Sequence, residues 1–174
     1  MGVPAARLQV AAQAPAHYHP GQAGALSLGP KAVLAHFGVL HPSVLAHYGI
    51  KLPVAAAELY LDAVPQPKQV RRSRPPLAAS DLQAVNRDFA FLVPKDTPAG
   101  AVLDAARNAA RDAIADIGLF DVYVGKGVPE NMKSLAIFVT LQPQGTTFTD
   151  EQIEAIASRI VAAVGKATGA TLRV

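Results

Sequence analysis

Histidine is the residue type in this chain with the most versatile chemistry, and all five copies lie within the first 47 residues. Imidazole binds transition metals, and His17 and His19 would face the same way on a strand. However, no Asp or Glu lies within thirty residues of that pair, and the 174-residue chain has no Cys to complete a zinc site. We therefore interpret the histidines as structural residues at turns, and the set is His17, His19, His36, His41 and His47.

Motifs for nucleophilic and phosphate chemistry are incomplete. His41 and Ser43 lack both a nucleophile elbow and an orienting acid. Gly125-Lys126-Gly127 lacks the long glycine-rich spacing of a phosphate loop, so we interpret it as part of a hairpin loop. The sequence predicts no catalytic site and no metal site.

Two helices are predicted in the second half of the chain. Thr97 and Pro98 are typical of a helix start, and an apolar stripe then extends this helix to Ile117, before Gly118. The second helix has a Thr N-cap at Thr149 with a Gln three residues later. Its apolar residues recur at helical spacing: Ile153, Ile156, Ala157, Ile160, Val161 and Val164.

Four apolar segments around these helices read as strands. They give the order β-α-β-β-α-β, which defines an α+β ferredoxin-like sandwich in the C-terminal half. The predicted strands span residues 87–93, 118–124, 134–141 and 170–174.

Two helices can cover only one face of such a sheet. Alternation along the strands predicts a helix-facing set of Phe89, Phe91, Phe120, Val122, Leu135, Ile137, Val139 and Leu141. The opposite, uncovered face would carry Asp88, Ala90, Asp121, Tyr123, Ser134, Ala136, Phe138 and Thr140.

The N-terminal half predicts a smaller antiparallel α+β segment. Residues 25–29 and 32–38 suggest paired strands, residues 41–49 a short helix, and residues 53–62 a further strand. About sixty residues with so few elements bury little surface.

Four ordered blocks in the C-terminal half support a family resemblance. The blocks at residues 84–91, 120–127, 133–136 and 148–153 resemble the ferredoxin-fold anticodon-binding domain of the bacterial phenylalanyl-tRNA synthetase β subunit. Segments of the first half, from His19-Pro20-Gly21 to residues 58–62, resemble the end of the catalytic-like module of that subunit. The chain departs from the family at Gln83 or Ala84, where a proline is common, and at Phe138, where an arginine is frequent.

The resemblance implies a transfer-RNA site on the uncovered face. Tyr123 and Phe138 would be stacking platforms, and Ala90 and Ala136 would let a base approach. The expected hydrogen-bonding partners are Asp88, Asp121, Ser134 and Thr140. The expected phosphate contacts are Arg87, Lys126 and Lys133.

The resemblance also implies the organisation of the whole protein. Residues 1–64 would end the catalytic-like module, residues 65–79 would be a linker, and residues 80–174 would be the anticodon-binding domain. The whole enzyme would join phenylalanine to tRNA(Phe) with ATP and magnesium in a two-α, two-β assembly, whereas this C-terminal part would need no cofactor. Met1-Gly2 is then expected to be an added start on a piece of a longer protein, the alternative being a natural short gene product.

Charge is unevenly distributed along the chain. Residues 1–80 hold seven Lys or Arg against two Asp or Glu, a net charge of +5, whereas residues 81–174 hold nine against eleven, a net charge of −2. Much of the excess lies in the proline-rich segment of residues 65–76, which is typical either of an extended tether that contacts phosphate or of a solvated spacer. With no apolar run long enough to span a membrane and no signal peptide, the protein is expected to be cytoplasmic, without membrane or DNA contacts.

Other proteins of ferredoxin-like topology fit less well. The loop at residues 94–98 contains Asp96 but no Arg and is bounded by proline, unlike the anion cradle of an acylphosphatase, and residues 134–141 offer only one of the aromatics of an RNA-recognition motif. Small-molecule regulatory domains of this topology usually carry a glycine where the first strand meets the first helix, whereas Gly100 lies inside the predicted first helix. The remaining alternative is a protein-interaction or subunit-docking module of the same fold with no RNA contact.

Overall fold

The computed structural model describes residues 3, 7–66 and 80–173. The chain divides into two compact units, Met1–Pro75 and Pro76–Val174, which are described separately. Most of the predicted linker, residues 67–79, lies outside the described residues. In the part of the chain that the structure describes, no helix is long and apolar enough to cross a membrane.

The first unit contains one antiparallel sheet in the strand order β1-β2-β3-β4. The predicted paired strands, short helix and following strand are present, and the structure adds an edge strand, β1. The elements are β1 (Leu8–Ala11), β2 (Tyr18–Leu28), β3 (Ala32–Leu40), α1 (Pro42–His47), β4 (Ala55–Leu59) and a 3-10 turn (Leu61–Ala63).

Histidines of this unit take part in local polar contacts. The Nδ1 atom of His41 accepts a hydrogen bond from the Ser43 backbone N–H at 3.2 Å and so caps α1. The Nδ1 atom of His36 lies 2.8 Å from the Tyr60 hydroxyl.

Burial raises the pKa of the Tyr18 phenol, and the Glu58 carboxylate adds to the shift. Among the described residues, no three His, Asp or Glu side chains are grouped to hold a metal ion.

The second unit is a four-stranded antiparallel sheet in the order β6-β7-β5-β8. Two helices pack on one of its faces, so the predicted ferredoxin-like sandwich is confirmed. Its elements are β5 (Val85–Pro94), α2 (Ala99–Ala109), β6 (Ile114–Tyr123), β7 (Met132–Leu141), α3 (Asp150–Thr168) and β8 (Thr171–Leu172).

One apolar core lies between this sheet and its helices. Phe91, Ile137 and Ile160 are fully buried in it, which shows that β5, β7 and α3 all contribute to a single layer. The residues of the core are Phe89, Phe91, Val93, Val102, Ala106, Ala110, Ile117, Leu135, Ile137, Val139, Leu141, Ile153, Ile156, Ile160 and Val164.

Helix α3 begins where its sequence predicts, directly after Thr149. The Gln152 backbone N–H donates to the Thr149 hydroxyl at 3.3 Å, and the Thr149 N–H donates to the Gln152 side-chain oxygen at 3.0 Å. This reciprocal pair satisfies N–H groups that have no partner inside a helix. At the other end, Gly169 takes the left-handed conformation with φ 69°.

We expect Thr149→Ala to lower the free energy of unfolding by about 0.5–2 kcal/mol, because an alanine cannot accept the N-terminal hydrogen bond. The measurement is a urea denaturation midpoint at unchanged slope. Thr146→Ala is the matched control, since Thr146 is exposed and lies before the cap. Equal losses for the two variants would contradict a capping role.

Helix α2 is shorter than its apolar pattern predicts. The helix ends at Ala109, and residues 110–113 form a turn in which the Ala113 and Ile114 N–H groups both bond to the Ala110 carbonyl. Ile114 already belongs to β6 and lies opposite Leu141 of β7. The prediction of a helix to Ile117 is wrong because the β-branched isoleucines bury equally well in a strand.

Strand β6 contains an irregularity that simple alternation cannot predict. Its register against β7 shifts between Leu119 and Asp121, which leaves Phe120 without a partner, as in a β-bulge. Phe120 is 57% exposed, so its predicted position against the helices is wrong. Val122 lies opposite the buried Leu135, on the helix side, yet it is 51% exposed because the helices do not cover this end of the strand.

Candidate nucleic-acid interface

The uncovered face of the second sheet is assembled by strand register. Tyr123 lies opposite Ser134, Asp121 opposite Ala136, and Asp88 opposite Phe138. Side chains at such opposite positions share one face of a sheet. The predicted set of Asp88, Ala90, Asp121, Tyr123, Ser134, Ala136, Phe138 and Thr140 is therefore brought together.

Phe138 lies flat on this face because β6 carries a glycine opposite it. A Cβ atom added to Gly118 would meet the Phe138 ring at 2.5 Å, well inside van der Waals contact. Gly118 and Phe138 are directly paired in the ladder. The ring is partly exposed and forms an apolar platform beside Asp88.

Tyr123 is held at the β6 end of the face by several contacts. Its hydroxyl donates to the Lys126 carbonyl at 3.2 Å, which ties the ring to the β6–β7 loop. A Cβ at Gly125 would lie 2.7 Å from the same hydroxyl, so the glycine provides the space. The Arg173 guanidinium carbon lies 5.7 Å from the ring centroid. Tyr123 keeps 39% of its surface exposed.

The hydroxyl side chains of the face have different accessibility. Thr140 donates a hydrogen bond to the Asn86 side-chain oxygen at 2.8 Å. Ser134 is only 4% exposed, so it forms part of the floor of the face, opposite Tyr123 in the register. Asn86, which the sequence analysis did not select, is the more exposed of the Thr140–Asn86 pair.

Two of the three predicted phosphate contacts lie on the other side of the sheet. Arg87 is opposite Val139, and Lys133 is opposite the buried Val93, so both have the parity of the helix-facing residues. The Arg87 guanidinium lies 3.9 Å from the Glu154 carboxylate of α3 and lines a groove of about 560 Å³ between β5 and α3. These two cations are not brought together with the aromatic residues.

The remaining charges make the face acidic. Asp88, Asp116 and Asp121 are exposed at positions on this face. Among the described residues of its strands and strand ends, Arg173 is the one positively charged side chain on this face. Lys126 lies in the adjacent loop and is exposed. Carboxylates repel phosphate and accept hydrogen bonds from amino groups, so this face suits base edges better than a nucleic-acid backbone.

Arg173 is the residue of this face that the sequence analysis missed. Its backbone N–H donates to the Ala90 carbonyl at 2.7 Å, which continues the pairing of β8 with β5. Alternation along the predicted last strand could have placed Arg173 on the uncovered side, but not beside Tyr123 at the far edge of the sheet.

Comparison with known proteins assigns the second unit to a family. The structure defines it as a ferredoxin-like sandwich with one uncovered face. Residues 80–173, more than half of the chain, match the family model described as the ferredoxin-fold anticodon binding domain. The chain therefore belongs to the ferredoxin-fold anticodon-binding family, and residues 1–61 match the phenylalanyl tRNA synthetase beta chain CLM domain.

Curated relatives agree with both matches. The chain is 50% identical over 173 residues to the phenylalanine–tRNA ligase beta subunits of Gluconobacter oxydans and Rhodospirillum rubrum, covering 99% of this chain. It is 51% identical over 167 residues to the same subunit of Paramagnetospirillum magneticum. The chain spans 21%, 22% and 21% of these three relatives. The family resemblance predicted from the sequence is confirmed.

Proposed function

We propose that this chain is a part of the phenylalanine–tRNA ligase β subunit whose second unit binds the anticodon region of tRNA(Phe). The observation that carries the proposal is the uncovered sheet face with Tyr123 and Phe138 beside exposed carboxylates. Stacking on aromatic rings and hydrogen bonds to base edges are how proteins recognise unpaired RNA bases. An anticodon loop presents such bases.

We propose the corresponding division of labour along the chain. Residues 1–64 end a catalytic-like module, residues 65–79 form a linker, and residues 80–174 form the anticodon-binding domain. In the whole enzyme, ATP and Mg²⁺ act at an aminoacylation site on the α subunit of a two-α, two-β cytoplasmic assembly. This chain contributes tRNA binding and no cofactor site.

The charge of the face determines which contacts the proposal relies on. Tyr123 and Phe138 stack, while Asp88, Asp121 and Thr140 bind base edges. Ser134 supports the floor. Lys126 remains a phosphate contact beside the face, whereas Arg87 and Lys133 contact only RNA that wraps past the sheet edges. With so few cations available, we expect binding to depend weakly on salt.

A titration with a tRNA(Phe) anticodon stem-loop tests this function directly. We expect a defined affinity for the native loop and a weaker one for a stem-loop of the same length with a scrambled loop sequence. Because stem phosphates are identical in the two RNAs, the difference reports base recognition. Equal affinity for both, or no binding of either, would overturn the proposal.

A subunit-docking role for the first unit is favoured by a separate observation. Several large apolar side chains on that unit are more than half exposed, and exposed apolar patches mark interaction surfaces. They are Val10, Tyr48, Leu52, Leu59 and Leu61. We propose that the remainder of the β subunit covers them, and a tRNA result of no binding would leave docking as the chain's main role.

A further inference from the structure

Arg173 crosses the uncovered face to reach Tyr123. In the strand order β6-β7-β5-β8, the two residues belong to opposite edges of the sheet, about 14 Å apart at a strand spacing of roughly 4.8 Å. The guanidinium nevertheless lies 5.7 Å from the ring centroid. Both side chains must therefore lean inward over the middle strands.

Small residues in the middle strands make this contact possible. Ala90 and Ala136 are directly paired, and Ser134 follows at the next position of β7 on the same face. Each of these side chains is too short to block a guanidinium that lies across the sheet. A Cβ added to Gly127 would lie 3.6 Å from the Arg173 Nη2 atom, which places the guanidinium close to the β6–β7 loop.

The backbone anchors Arg173 at its other end. Its N–H bonds to the Ala90 carbonyl at 2.7 Å, directly after the two-residue strand β8. The Tyr123 hydroxyl is fixed to the Lys126 carbonyl. With both ends held, a cation over one face of the ring adds an electrostatic attraction to the ring quadrupole.

We propose that Arg173 is a positioning residue of the RNA site, which holds the Tyr123 ring in the orientation that a stacked base requires. This inference rests on the proposed anticodon-binding function. An ordered ring lowers the conformational entropy that binding would otherwise cost. Arg173 thus acts on RNA through Tyr123.

The contact can be measured in the free protein. Protons on the Arg173 side chain close to the ring face should resonate upfield, and Tyr123→Leu should return them to ordinary positions while the other amide signals of the sheet stay in place. Unshifted Arg173 side-chain protons in the wild type would overturn the positioning role, whether or not RNA binds.

A double-mutant cycle then connects the contact to RNA binding. We expect Arg173→Ala to weaken stem-loop binding about two- to fivefold, to lose most of this effect in a Tyr123→Leu background, and to be rescued in part by Arg173→Lys. Arg159→Ala, an exposed arginine on α3, is the matched control and should bind as the wild type does.

Each outcome of the cycle has a distinct meaning. Additive losses with a normal wild-type affinity would overturn positioning and assign Arg173 to a direct phosphate contact, with a shallower salt dependence in Arg173→Ala. Absence of wild-type binding would overturn both the proposed function and this extension of it.

Discussion

Phe91→Ala is expected to destabilise the second unit by about 3–5 kcal/mol, the range for truncating a buried phenylalanine. Phe91 is 0% exposed and lies in β5, one of the two inner strands, with its ring stacked on that of Phe89 at 6.0 Å between centroids. Removal of the ring loses transfer free energy and leaves a cavity that the rigid sheet cannot close.

The same substitution at Phe120 provides the control. Phe120 lies in the same sheet but is 57% exposed at the bulge, so Phe120→Ala should change the stability by well under 1 kcal/mol. Urea titrations followed by the amide signals of the second unit separate its unfolding from that of the first unit. A loss below 1 kcal/mol for Phe91→Ala would contradict the assignment of one close-packed core.

Local sequence signals predict α3 because all its determinants lie within a few residues. Thr149 and Gln152 exchange their hydrogen bonds across a single turn, and Gly169 ends the helix because glycine tolerates a positive φ. Tertiary packing is therefore not needed to determine the limits of this helix.

The end of α2 and the bulge in β6 depend on information that is not local. Ile114 and Ile117 continue the helical stripe, yet they also fit a buried strand, and pairing with β7 selects the strand. Residues an even number of positions apart share a face of a regular strand. Ile117 is buried on the helix side, yet Asp121, at such a separation from it, lies on the uncovered side. Only a register shift at Phe120 permits both.

The candidate site also contains residues that local patterns predict and residues that they do not. Period-two alternation identified the face residues Asp88, Asp121, Tyr123 and Phe138 correctly as neighbours, because register and alternation are backbone properties. It did not identify Arg173, whose contact with Tyr123 spans the whole width of the sheet. The same alternation puts Arg87, which precedes Asp88, on the helix-facing side, but charge alone selected Arg87 as a phosphate contact.

The acidity of the face concentrates the expected binding free energy in few side chains. With Asp88, Asp116 and Asp121 exposed, phosphate neutralisation contributes little, so stacking and base-edge hydrogen bonds must supply most of the affinity. Of the two aromatic platforms, Phe138 is fixed against Gly118, and Tyr123 projects at the edge beside the Lys126 loop.

Tyr123→Ala should therefore weaken anticodon stem-loop binding by up to about a hundredfold, since stacking of one base on an aromatic ring is worth about 1–3 kcal/mol. Tyr123→Phe should retain most of the affinity, because the ring remains and only the bond to the Lys126 carbonyl is lost. Phe120→Ala removes a more exposed aromatic from the same strand, outside the paired face, and should leave affinity unchanged. An unchanged affinity for a folded Tyr123→Ala, or an equal loss for Phe120→Ala, would show that bases do not stack on this ring.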